Sequence, residues 1–291
     1  MMLETSAGPP AAWPSFADHA ATLRGRHAVV TGVSGGIGRA VATAFAESGA
    51  LVIGLDRTDE LATDAVGALP RLDGEHAAIG VDFADPAAIA AALGQVRAVS
   101  KDIAALVNVA GYAADAVAQM VTQDALQAHM QVNFFGAVQI AQYVSRLMTR
   151  TGGGSIVSVS SVTALDGNPG QLAYGAAKAA VVAVTRTLAV ELALDNIRVN
   201  AVAPGVTATP ASSAYVDEDQ ERDRRAIAMG RRARPEEQAG AILFLLSKLS
   251  SYITGQTILV DGGLNLKWTH LGADNTSLFL KDESFRAAIK R

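Results

Sequence analysis

The sequence predicts one doubly wound α/β domain, with a seven-stranded, mostly parallel sheet and helices on both faces. Three observations predict it. Seven short apolar runs recur along the chain, separated by stretches of helical periodicity. A glycine-rich turn joins the first run to the first helix. The second run ends on an acid, Asp56. Alternating strands and helices without a long linker give a sheet with right-handed crossovers and sites at the C-terminal ends of its strands.

The first strand is expected from His27 to Thr31. The turn Gly32-Val33-Ser34-Gly35-Gly36-Ile37-Gly38 follows, then a helix to about Glu47 with Ile37, Val41, Ala44 and Phe45 on one face. Gly49 is a natural C-terminal stop. The second strand runs from Leu51 to Leu55, the third from Ala77 to Val81 before Asp82. Asp85-Pro86 reads as a cap and first residue of a helix to about Val96. Ile103 to Val109 is the fourth strand, closed by Ala110-Gly111. A helix begins near Val117 and leads into a long one around Leu126 to Thr149, with Asn133 inside it. The fifth strand, Ile156 to Ser160, is followed by the turn formers Asp166-Gly167-Asn168-Pro169-Gly170 and a helix from Leu172 to about Ala193. Ile197 to Ala203 is the sixth strand. Pro235 starts a helix to about Leu249, and Thr257 to Val260 is the seventh strand. By this reading residues 1–24 are an N-terminal extension, 25–263 the domain and 264–291 a C-terminal extension.

The composition of the 291 residues narrows the function. Half are apolar and 18% charged, enough for a sizeable core, and the net charge is −4 with a pI of about 5.7. No general attraction to nucleic acid is expected from that balance. The lack of cysteine excludes disulfides, thiolate metal sites and Cys nucleophiles, and no metal site is expected. No run of 18 apolar residues exists to span a membrane, and the first 24 residues do not have the pattern of a secretory signal. A cytoplasmic location is the expectation.

The strand–glycine turn–helix–strand unit, with Asp56 placed 18 residues after Gly38, is the arrangement of a Rossmann-type dinucleotide site. Glycines let the backbone approach a pyrophosphate, and the helix N-terminus offers free N–H groups with partial positive charge. A carboxylate at Asp56 accepts hydrogen bonds from ribose hydroxyls and repels a 2′-phosphate. Gly35 stands before Gly36 in place of a basic residue that would welcome that phosphate. NAD is therefore the expected cofactor, although Arg57 is adjacent.

The stretch from Ser155 to Lys178 carries the expected chemistry. Tyr174 and Lys178 are four residues apart on a helix, which sets them about 5–6 Å apart at Cβ. A cation that close favours phenolate and makes the proton easier to exchange. Ser161, at the end of the fifth strand, can aim a hydroxyl at the same place. A Tyr-x-x-x-Lys pair alone is ordinary helix surface, and its weight comes from its neighbours.

Together the motifs resemble those of a classical short-chain dehydrogenase/reductase over about His27 to Leu264. They are Thr31-Gly32-x-x-x-Gly36-x-Gly38, Asp82, Asn108-Val109-Ala110-Gly111, Asn133, Ser161, Tyr174-x-x-x-Lys178, Asn196-x-Arg198-Val199-Asn200 and Pro204-Gly205-x-x-x-Thr209. The resemblance implies Tyr174 as general acid/base, with Lys178 lowering its pKa and binding the nicotinamide ribose. Ser161 would hold the substrate oxygen, and Asn133 would anchor a water linking Lys178 to solvent. The cofactor would lie against Gly32, Ser34, Gly35, Gly36, Ile37, Gly38, Asp56, Arg57, Asp82, Phe83, Asn108, Ala110, Gly111, Pro204, Gly205, Val206 and Thr209, besides Tyr174 and Lys178. Val109 replaces the family's second Asn and is expected to pack. A homotetramer is implied, because the family buries the Leu172–Ala193 and Asn133 helices against a neighbouring subunit.

Substrate contacts are expected from Ser161, Thr163, Asn168, Gln171 and Tyr174, with Tyr112, Val162 and Leu165 nearby. The polar Asn168 and Gln171 suggest a small alcohol or ketone with more than one oxygen. The segment from Val206 to Arg234 is expected to cover it. Its arginines, Arg222, Arg224, Arg225, Arg231, Arg232 and Arg234, are either a solvated helix face or an attractor for an anionic substrate. The C-terminal stretch, with Trp268, His270, Leu278, Phe279 and Phe285, is expected to cross a subunit boundary. The leading reading is NAD-dependent oxidation of a secondary alcohol such as a polyol, sugar or hydroxy acid. The alternatives are a ketone or 3-oxoacyl-thioester reductase and a non-catalytic dinucleotide sensor.

Overall fold

Parallel strands covered on both faces need mostly apolar side chains pointing to either side, and apart from a few polar positions such as Ser155, Ser158, Arg198 and Asn200 the seven runs supply them. In the computed structural model, which describes residues 23–72, 74–210, 223 and 225–266, they become β1 (His27–Thr31), β2 (Leu51–Asp56), β3 (Ala77–Gly80), β4 (Ile103–Asn108), β5 (Gly154–Val159), β6 (Ile197–Pro204) and β7 (Thr257–Val260). They form one sheet in the order β3-β2-β1-β4-β5-β6-β7, with every pairing parallel. The order reverses between β1 and β4, and in such sheets that crevice is where ligands bind.

Two layers of helices cover the sheet. Successive side chains of each strand point to opposite faces, so Ala28 and Val30 pack on one side and Val29 on the other. The first face receives α1 (Gly36–Glu47) and α7 (Pro235–Leu246), through Val41, Phe45, Ile242 and Leu245. Between them in sequence, α2 (Asp59–Gly67) also packs here, while α3 (Pro86–Val99), α5 (Gly136–Arg150) and α6 (Leu172–Leu192) take the second face. Caps set the helix starts. Thr58 accepts from Leu61 N–H at 3.3 Å, and Asp85 accepts from Ala87 N–H at 2.8 Å with Pro86 as the first helical residue.

The structure corrects the sequence reading at several places. The helix α2 was not anticipated; its nine residues follow the capping Thr58 and open on an acidic first turn, Asp59 and Glu60. The buried face of α1 is Val41, Ala42, Phe45 and Ala46, so it is rotated from the expected one and Ala44 is only half buried. The long helix through Asn133 is not continuous. A 3₁₀ turn (Ala118–Met120) precedes α4 (Gln123–Met130), and a π-helical turn (Gln131–Phe135) separates α4 from α5. The expectations for the N- and C-terminal extensions, and for residues 211–222 and 224, fall outside the described residues. No described helix is long and apolar enough to cross a membrane.

One side chain ties the two strands that flank the crevice. Thr31, 1% exposed at the end of β1, accepts from both Val109 N–H and Ala110 N–H at 3.0 Å through Oγ1. Replacing it by the isosteric Thr31→Val leaves two inward N–H groups without an acceptor. Urea unfolding should show a loss of about 2–4 kcal/mol.

Candidate active site

At the head of β1, Gly32 adopts φ +68, and its Cβ, if it had one, would sit 3.0 Å from the Ala110 backbone. A Cβ on Gly38 would run into the Gly32 carbonyl, so helix α1 starts tight against the strand. Gly36 has Thr209 over it: a Cβ there would meet Thr209 Cγ2 at 2.5 Å. Gly35 occupies the N-cap and no side chain caps the helix. Its first-turn N–H groups are therefore offered to an anion rather than to the protein.

Asp56 closes the other side of this cradle. It is buried, with Oδ2 accepting from Ser34 N–H and Oδ1 from Arg57 N–H, both at 2.8 Å. Each oxygen keeps a lone pair for a further donor, so the carboxylate is oriented and still available. The Arg57 side chain is exposed. Asp82 is exposed at the end of β3 and accepts from Ala84 N–H at 2.9 Å, whereas the Phe83 side chain is buried in the second core layer. Asn108, 5% exposed, donates long 3.4 Å bonds to Ala137 O and Ser158 Oγ, while its Oδ1 has no protein partner. A buried acceptor left open in the crevice suits a bound group with a donor to give. Glycines that admit a phosphate backbone, an uncapped helix and an oriented carboxylate together fit a dinucleotide.

The reactive side chains converge beyond β4 and β5. A Cβ on Gly111 would lie 2.5 Å from Asn133 Oδ1 and 3.2 Å from Lys178 Nζ, so the amide and the ammonium meet around this glycine. Asn133 is buried in the π turn; its Oδ1 accepts from Tyr112 N–H and its Nδ2 donates to Tyr112 O and His129 O. Lys178 donates to the Val159 carbonyl at 2.9 Å, and its Nζ stands 5.6 Å from the centre of the Tyr174 ring. Tyr174 shares a hydrogen bond with Ser161. Thr163 supports Ser161, whose Oγ accepts from Thr163 Oγ1 at 3.0 Å and from Thr163 N–H at 3.2 Å.

The electrostatics differ from the simple expectation. Burial raises the Tyr174 pKa, and the Ser161 hydrogen bond only partly opposes it. Burial also lowers Lys178, to about 8. The i,i+4 cation does not by itself bring the phenol towards neutrality, because desolvation dominates at both groups.

Other predicted residues lie around this centre. Gln171 and Asn168 sit on its rim, where Asn168 Nδ2 donates to Gln171 Oε1 at 3.0 Å. Pro204, Gly205 and Val206 leave β6, and Ala110 flanks Gly32 across the crevice. Val109 packs against the first core layer, as expected for an apolar residue replacing Asn. Three arginines of the segment expected to cover the substrate, Arg231, Arg232 and Arg234, lie against acids. Arg231 makes a two-point bond to Glu237, Arg232 a 2.7 Å bond to the buried Asp223, and Arg234 approaches Glu237 at 4.0 Å. This favours the structural reading of that cluster over an anion site. Three residues outside the sequence candidates also shape the site. Ser160 Oγ holds the Lys178 carbonyl, Gln238 Nε2 joins Thr207 Oγ1 to the Val260 carbonyl, and His129 packs beneath Tyr112. Only the His129-to-Asn133 spacing of one helical turn hinted at any of them.

Comparison with known proteins agrees with this geometry. The family model described as enoyl-(acyl carrier protein) reductase matches residues 32–265. The 3-oxoacyl-[acyl-carrier-protein] reductase of Thermotoga maritima is 40% identical over 83% of this chain and 98% of its own. An NAD-dependent glycerol dehydrogenase from Listeria innocua is 36% identical over 82% of this chain and 94% of its own. Among solved structures, a putative NAD(P)-dependent gluconate 5-dehydrogenase from Beutenbergia cavernae, with NADP bound at low occupancy, has a TM-score of 0.78 at 35% identity. It covers 85% of this chain and all of its own. A cradle for a dinucleotide beside a Ser–Tyr–Lys cluster, on a chain with these relatives, identifies a member of the short-chain dehydrogenase/reductase family, an NAD(P)-dependent oxidoreductase acting on CH–OH or keto groups.

Proposed function

We propose that the protein oxidises a secondary alcohol (a polyol, sugar or hydroxy acid) to a ketone with NAD, using Tyr174 as general base. The single observation that carries the cofactor choice is the Asp56 carboxylate, turned towards the glycine turn by two backbone N–H groups. A 2′-phosphate there would face a fixed negative charge. Bound nicotinamide dinucleotide would accept the hydride. The chain's own groups handle the oxygen and its proton. Ser161 holds the substrate oxygen, and Tyr174 takes its proton as the carbonyl forms. The buried Lys178 ammonium stabilises the resulting phenolate, which is when its charge has most effect in this desolvated setting. Asn133 keeps the Tyr112 backbone, and with it Gly111, in place beside Lys178.

A second reading is ketone reduction by the same groups in reverse, with Tyr174 as acid. The names of the reductase relatives favour it. We further infer a homotetramer: α6 buries one face in the chain, while its Leu172 and Val190 and the π-turn Phe135 stay exposed. The segment from Val206 to Arg234 serves as the cover of the substrate, residues 25–263 as the catalytic domain, and the cytoplasm as the place of action.

A screen of NADH formation with glycerol, gluconate, other sugars and hydroxy acids, run beside NADH and NADPH consumption with a 3-oxoacyl thioester, tests direction and substrate. NAD should exceed NADP in kcat/KM, and Asp56→Ala should raise the NADP-to-NAD ratio about tenfold or more. A preference for NADP in the unmodified enzyme refutes the cofactor assignment. Tyr174→Phe should lower kcat by about 10²–10⁴-fold with NADH binding retained. Lys178→Met should abolish turnover and yet raise stability at pH 7 by roughly 1–3 kcal/mol, because a buried cation whose pKa falls from 10.5 to about 8 opposes folding. The unfolded state binds the proton more tightly, so the unmodified protein should gain stability as pH rises from about 8 to 10.5, relative to Lys178→Met. Urea unfolding across that range checks the sign.

A further inference from the structure

His129 stands in the last turn of helix α4, one turn before Asn133, and is 2% exposed. An imidazole buried there must satisfy both ring nitrogens. Nδ1 lies 2.9 Å from the Ala125 carbonyl, which can only accept, so Nδ1 carries the hydrogen. Nε2 receives the Ala114 N–H at 3.2 Å and is therefore bare. The partners thus fix one neutral tautomer. Tyr112 stacks on the ring, with centroids 4.4 Å apart and planes at 27°, and its hydroxyl lies 3.3 Å from Nδ1.

These contacts hold a strap, residues 112–116, that crosses from the Gly111 side of the site to the start of α6. Tyr112 at one end exchanges two hydrogen bonds with Asn133. Ala116 at the other end donates to the Gly170 carbonyl at 2.9 Å and pairs with Gln171, three residues before Tyr174. Ala114 in the middle is exposed and goes to His129. The strap therefore has its ends at two parts of the reactive centre and its midpoint on the imidazole. Without an acceptor at position 129, the span between Asn133 and Gly170 loses its middle anchor. The Asn133 amide, whose Nδ2 also bonds His129 O, then loses the rigid backbone it is paired with.

We propose that His129 is a positioning residue for the reaction: as a neutral acceptor it pins the 112–116 strap, and so sets the Asn133 amide and the wall of the substrate site beside Gly170. It acts through those groups and not on the reacting atoms. The inference rests on the catalytic reading of Asn133 and Tyr174.

Three substitutions separate this role from plain packing. His129→Gln can place a carbonyl oxygen near the Nε2 position, His129→Asn reaches only the Nδ1 position, and His129→Leu keeps bulk without either. With glycerol, gluconate or a 3-oxoacyl thioester, whichever turns over fastest, kcat should fall about 10–100-fold in the Leu and Asn variants and stay within about threefold in Gln. NADH affinity, read by fluorescence, should change less than about twofold in all three, because the bond removed is at Ala114, beyond the Ala110 that touches Gly32 and Thr31, whose hold on Ala110 stays intact. Ala114→Pro removes the same bond from an exposed position and should match the Leu variant. An unchanged kcat in His129→Leu or Ala114→Pro overturns the proposal. So does a loss in Gln equal to that in Leu, or a loss that follows NADH affinity. Tyr174→Phe measured in parallel keeps the two readings apart: full rate there refutes the catalytic assignment, whereas the position-129 series refutes only this one.

Discussion

The parallel register of the sheet is the constraint on which the site depends. Leu55, Thr31, Asn108 and Ser158 are paired in a row across β2, β1, β4 and β5. Every strand turns out of the sheet within a few residues of that row, so Asp56, Gly32, Ala110 and Ser161 emerge side by side. A one-residue slip of any of these strands would exchange its faces and carry its terminal side chain to the wrong layer. Apolar burial on both faces opposes that slip, because neighbouring strand residues such as Val29 and Val30, or Ile156 and Val157, are committed to opposite cores. The precision of a site built from four strand ends thus comes from hydrophobic packing far larger in energy than the contacts within the site.

Within the site, desolvation is the dominant electrostatic effect. It raises Tyr174 and lowers Lys178, so it disfavours both charges that proton transfer would create or hold. The protein answers with neutral dipoles. The Val159 carbonyl receives the ammonium, and Ser161, itself oriented by Thr163, receives or donates at the phenol. In the proposed reaction such a pair, poorly stabilised as charges at rest, gains most when a phenolate forms beside the cation. Preorganised groups of this kind cost stability and favour the transition state.

The segment proposed as the substrate's cover has a different logic. Its arginines left two readings open in one dimension, a solvated helix face or an attractor for an anion. In three dimensions Arg231 and Arg232 are held by Glu237 and Asp223, which lie 6 and 9 residues away in the chain. Arg232 and Asp223 are largely buried, so this pair is part of the folded structure and not bait for an anion.

What the sequence by itself determined was the succession of the seven strands and the place of the glycine turn and Asp56 between the first two, though not α2 or the break before α5. Strand runs, the glycine turn and Asp56 are local signals, set by burial on both faces, by the lack of a Cβ and by chain direction. The Ser161, Tyr174 and Lys178 set was legible because a strand end and an i,i+4 helix pair are also local. Only the tertiary structure decided the rest. The π turn that rotates Asn133 inward is invisible to a 3.6-residue pattern, and the strap that pairs Tyr112 with Asn133 and Ala114 with His129 joins residues 15 to 21 positions apart. The pKa directions also reversed the local expectation for Tyr174, because burial acts on every neighbouring atom while spacing along a helix reports on only one.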